Sequence, residues 1–146
     1  MQAMLRDRFP LLLAALWWGS LTAVGFVVVP MLFAYLPSAM VAGNMAAKLF
    51  TAQSWMAVAC VVPLMVLTSG NRDKPMGDAA STTLMFLLGG LLLALLVEYG
   101  VSPRIVARVN VRLWHGVGTA MYLIQWLCAL AVLWRLGKPQ ASDRPD

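Results

Sequence analysis

Residues 79–98 read "AASTTLMFLLGGLLLALLVE", with no Asp, Glu, Lys or Arg until Glu98 closes the run. An uncharged stretch of this length is close to the roughly 20 residues that carry a helix across hydrocarbon. Working outward, the same absence of charge holds between Pro10 and Lys48, between Thr51 and Gly70, and between Gly116 and Trp134. With 61% hydrophobic and 12% charged residues and a mean hydropathy of +0.77, the chain lies outside the soluble range. The expected fold is all-α, an integral membrane four-helix bundle with an extended extracytoplasmic end. It forms one domain with spans at about 10–33, 48–69, 79–98 and 115–135, and residues 136–146 read as a disordered cytoplasmic tail.

Arg6 and Arg8 precede the first apolar run as in a secretory signal. That run is too long and tryptophan-rich, and no A-x-A site closes it, so it reads as a retained span. Orientation follows from loop cations, because positively charged loops resist translocation. Arg6, Arg8, Arg72, Lys74, Arg135, Lys138 and Arg144 fall on one side, against Lys48, Arg104, Arg108 and Arg112 on the other. Both termini are therefore expected in the cytoplasm.

The last span raises the main functional question. Ser102 reads as an N-cap and Pro103 as the first helical residue, with the helix unbroken to about Leu136. Such a helix measures about 50 Å, longer than the roughly 30 Å of hydrocarbon. With Trp134 and Arg135 at the inner interface, the outer interface falls at His115, and Lys48 on the second helix lies level with it. At 100° per residue, Arg104, Arg108, Arg112 and His115 occupy an arc of about 80°. Glu98 is expected to form an ion pair with Arg104 or Arg108 across "YGVSP", since a lone carboxylate at the membrane edge is costly. Three readings of the basic stripe stay open. It anchors a protruding helix to headgroups, it joins Lys48 and His115 in binding an anionic lipid or small ligand, or it docks an acidic membrane-protein partner.

His115 is also the candidate ligand for copper or haem, with methionines, Cys60 and Cys128 as soft donors. One histidine makes a poor site, and no C-x-x-C or paired histidines accompany it. Cys60 and Cys128 lie at similar depth, but a disulfide is not expected between buried thiols. Ala15, Gly19, Thr22 and Ala23 on the first helix, and Gly89, Gly90 and Ala94 on the third, form small-residue faces. These serve packing within the bundle or between copies of a homo-oligomer. Gln125 and Thr119 read as interhelical hydrogen-bonding residues. Hydrolase elbows, phosphate-binding loops and HExxH motifs are missing from the sequence, and nucleic acid is not an expected partner because the cations are used for topology and the outer stripe.

Trp18-Gly19, "PMLF" at residues 30–33, Ala42-Gly43 followed by "KLF", "SPR" at 102–104 and His115-Gly116 together resemble the bacterial domain of unknown function 4149 family, itself similar to the eukaryotic transmembrane protein 205 family. The resemblance covers roughly residues 9 to 135. It implies a four-helix inner-membrane protein without an assigned reaction. Relatives tend to carry a hydroxyl residue and an amide after the histidine, where this chain has Gly118 and Tyr122. A remoter likeness, to four-helix copper-resistance and haem-pathway membrane proteins, rests on helix count and a histidine.

The cation count generates a topology prediction. A reporter fused after Asp146 should register as cytoplasmic, and a periplasmic signal would invert the assignment of every loop.

Overall fold

In hydrocarbon every backbone N–H and C=O needs a partner inside the chain, which leaves the helix as the structure for such runs. The computed structural model describes residues 2–69 and 77–138, and no strand occurs among them. The loop with Arg72 and Lys74 and the expected tail beyond Lys138 lie outside the described residues. The chain forms α1 (Gln2–Thr22), a π-helical segment π1 (Ala23–Val28) and α2 (Val29–Tyr35), then α3 (Ala39–Ser69). It continues as α4 (Asp78–Leu96), a second π-helical segment π2 (Val97–Val101), α5 (Ser102–Val106) and α6 (Val111–Leu136). Within each group the helix runs on, giving four rods of 28, 31, 29 and 26 residues that are long and apolar enough to cross a membrane. At 1.5 Å per residue these measure about 39 to 47 Å, more than a hydrocarbon layer.

Each rod packs against two neighbours, in the cyclic order first, second, third, fourth. Trp17, Leu21, Val61, Leu64, Leu87 and Val132 fill the centre, with Ala14, Ala57, Ala94 and Ala129 between them. Gly90 makes this possible. A Cβ built there would lie 2.6 Å from Cη2 and 2.8 Å from Cζ2 of the fully buried Trp17 indole. The expected small-residue face of the third rod thus packs inside the bundle. On the first rod the within-bundle reading is corrected for Ala15, Gly19 and Ala23, because Ala14, Trp17 and Leu21 point inward while Ala15 and Ala23 are exposed and nothing lies within 4 Å of a Cβ at Gly19. The bulky indole takes the core position and rotates the small residues away from it.

The expected unbroken helix from Ser102 to Leu136 is also corrected. The third rod runs through Pro103, and the chain turns at 107–110 instead. Val109 N–H donates to Arg104 O and Arg108 N–H to Ile105 O, both at 3.0 Å, the pair of bonds that defines a Schellman ending. Arg108 occupies its left-handed position at φ 56°, and Asn110 follows at φ 40°. The arginines therefore do not share a helix face. Arg104 is on α5, Arg108 in the turn, and Arg112 and His115 on α6. At the connection between the first and second rods, Pro37 forces Leu36 into extended backbone (φ −82°, ψ 149°), as a residue before proline prefers. Ser38 Oγ then accepts from Val41 N–H at 3.3 Å to start α3.

Two stability predictions follow. Gly90→Leu should destabilise the bundle by about 1–3 kcal/mol through overpacking against Trp17, whereas Gly19→Leu should be close to neutral, both read from detergent-titrated unfolding. Arg108→Gly should raise stability by about 1 kcal/mol, because a left-handed residue other than glycine carries roughly that penalty. An unchanged or lowered midpoint would show that the arginine side chain itself holds the turn.

Candidate functional site

Closed by apolar side chains, the four rods are further joined by polar groups at mid-length and toward the end that carries the 36–38 and 107–110 connections, the end expected to face outward. Gln53 Nε2 donates to Ser20 Oγ at 3.0 Å, joining the second rod to the first. Trp126 Nε1 donates to Thr22 Oγ1 at 2.9 Å and Tyr122 OH to Leu21 O at 2.8 Å, joining the fourth to the first. The Tyr122 ring packs so closely on Gly25 that any β-carbon there would collide with it, and it meets Phe50 edge-on at 5.4 Å between centroids. At the end opposite the 107–110 turn Arg135 clasps α6 to α4, donating through Nε to Thr83 Oγ1 and through a terminal nitrogen to Ala79 O, each at 3.0 Å. Of the two residues expected to bond across helices, Gln125 is buried, but the Thr119 hydroxyl donates to His115 O on its own helix.

Glu98 sits in π2 and is turned toward α3. Its Oε1 accepts from Thr51 Oγ1 at 2.8 Å, while Oε2 is buried without a hydrogen-bond partner. The expected ion pair is thus replaced by a hydroxyl contact. The reason is geometric, since the third rod does not turn at "YGVSP" but continues helically, and Arg104 lies beyond the carboxylate along it. Arg104 instead donates to Gly100 O and places its guanidinium 4.5 Å from the Trp114 ring centroid, a cation–π contact across the turn. Beside Glu98, Ser54, Trp55, Val58, Leu95 and Tyr99 line a small cavity.

The cations expected to form an anion site are all exposed, namely Lys48, Arg104, Arg108, Arg112 and His115. The α5–turn–α6 corner brings the three arginines and His115 into one short segment, whereas Lys48 stands on α3, one turn from Thr51. An exposed guanidinium in water or headgroups is free to meet phosphate or carboxylate in the bidentate geometry that arginine favours. His115 lies one turn into α6. No group of three or more His, Cys, Asp or Glu is placed to hold a metal among the described residues. Cys60 is buried, Cys128 is partly so, and both are free thiols.

The Thr51–Glu98 contact, the Gln53–Ser20 pair and the Tyr122 and Trp126 bonds were not evident from the sequence. The signal available was the crowding of hydroxyl and amide residues at 51–54 opposite Ser20 and Thr22, which one chain alone does not register.

No curated protein and no solved structure matches the chain. A family model described as a domain of unknown function (DUF4149) matches residues 12–112. That match covers more than half of the chain, from the first rod through the arginine turn, and this multi-pass membrane protein belongs to the DUF4149 family.

Proposed function

We propose that the protein binds anionic groups at its outer basic corner, with the phosphate of a membrane lipid as the leading ligand, in a bacterial inner membrane with both termini cytoplasmic. The observation that carries this reading is Arg108 in a left-handed backbone position. Glycine fits that position of a Schellman ending with less strain, and strain of this kind is commonly retained where a side chain has a task. The arginine projects from the tip of the turn, between Arg104 and Arg112, and all three are exposed. Arg104 is steadied by Trp114, which leaves Arg108 and Arg112 as the mobile contacts to a phosphate or carboxylate.

A passive headgroup anchor and a selective site differ in what they retain. In native mass spectrometry from nanodiscs of mixed lipids, the wild type should hold phosphatidylglycerol over phosphatidylcholine. Arg108→Gln with Arg112→Gln should lower that ratio roughly tenfold to thirtyfold, at about 1 kcal/mol per cation near the surface, and raised salt should weaken it. Arg108→Gly should lower the ratio while raising thermal stability. An unchanged ratio in the double variant would refute the site and leave an unselective anchor.

A further inference from the structure

Glu98 is the only acidic residue between Asp78 and Asp143, and none of the nearby arginines satisfies it. Its Oε1 is held by Thr51, and its Oε2 has no partner although protein covers it. A carboxylate left with an unbonded oxygen in such surroundings carries a free-energy cost that a donor would remove. The room beside it is about 10 Å³, about the space of one water. Trp55 and Tyr99, 62% and 68% exposed, stand at the rim of this room. Glu98 is twenty residues beyond Asp78, so it lies about 30 Å along the rod, at the boundary between hydrocarbon and headgroups.

We propose that the Glu98 cavity, rimmed by Trp55 and Tyr99, binds a primary ammonium group at the outer membrane interface. The tip of such a group is close to water in size and carries three N–H donors. One of them makes a charge-assisted bond to the free Glu98 oxygen, and the aromatic rings attract the cation. Other cations fit less well. Calcium and magnesium take six or more oxygen ligands, and the oxygen-bearing side chains of the lining are those of Glu98, Ser54 and Tyr99 alone. A trimethylammonium group has no N–H and exceeds a water-sized space. The ammonium comes either from an ethanolamine lipid headgroup or from a free small amine.

The test compares phosphatidylethanolamine with phosphatidylcholine, whose headgroups differ in that ammonium alone. Full-length protein in nanodiscs containing both should retain the ethanolamine lipid preferentially by native mass spectrometry. Glu98→Gln, similar in shape and still able to accept from Thr51, should reduce the preference about tenfold or more. Trp55→Leu changes an exposed residue, so it should keep the fold and lower the preference severalfold, which preserves the test if Glu98→Gln fails to fold. Competition by millimolar ethanolamine would assign the site to free amines as well, while a preference lost in Glu98→Gln but indifferent to ethanolamine would assign it to the lipid. Wild type without a preference, or variants that retain it, would overturn the proposal and leave the cavity to water. The arginine corner is tested separately, because Glu98→Gln should not alter phosphatidylglycerol retention and the double arginine variant should not alter the ethanolamine preference.

Discussion

A peptide group inside hydrocarbon has nowhere to turn for a hydrogen bond except its own chain, and the two prolines near the 36–38 and 107–110 ends of the first and third rods put that constraint under strain. Pro30 follows π1 and Pro103 follows π2. Each proline removes one donor and crowds the carbonyl four residues earlier, and a local widening of the ladder accommodates both without ending the helix. Proline alone does not set the pattern, since Pro10 and Pro63 lie inside α1 and α3 without a change of register. What distinguishes Pro30 and Pro103 is a demanding neighbour. Next to π1 the Tyr122 ring presses on Gly25 and its hydroxyl takes Leu21 O, and in π2 the Glu98 carboxyl meets Thr51.

The bundle is consequently divided by chemistry. Its middle is closed by volume, through Trp17 against Gly90 and the layers of leucine, valine and alanine around them. From mid-length toward the 107–110 turn it is closed by directional bonds to which all four rods contribute a side chain. Small apolar contacts among membrane helices draw little from a hydrophobic drive, so a fitted indole and a few hydrogen bonds carry the specificity of assembly. The arginine corner lies beyond both layers, where the Arg104–Trp114 contact ties the third rod to the fourth and Arg108 and Arg112 stand exposed.

The four spans were legible because absence of charge over about 20 residues is a strong and local signal, and the family through short motifs kept in order from Trp18-Gly19 to His115-Gly116. The path of the third and fourth rods was not. Ser102-Pro103 carries the pattern of a helix start, yet the same proline also fits a helix that has just changed register, and the sequence distinguishes the two poorly. The turn fell four residues later, on an arginine, a residue type that gives no warning of left-handed backbone; Asn110 was the one tolerant residue there. That displacement decided the site. It separated the arginines from a common face, moved Glu98 inside a rod, and gave it a threonine from another part of the chain as partner, a contact with no local trace. The packing within the bundle expected of Ala15, Gly19 and Ala23 failed for a similar reason, because the pattern shows which side is small and not which side the tryptophan will claim.

A helix that widens for a single turn accommodates a surplus residue, and this gives the chain an uneven tolerance of changes in length. Removal of one position within 97–101 lets the ladder close as an ordinary α-helix, with α4 and α5 still presenting their former faces. The same removal within α4 swings everything beyond it by about 100°, carrying Val101 out of its contact with Gly118 and the arginine corner to another side of the bundle. The two widened turns are therefore the places where this chain can lose one residue from a membrane span and keep the same bundle.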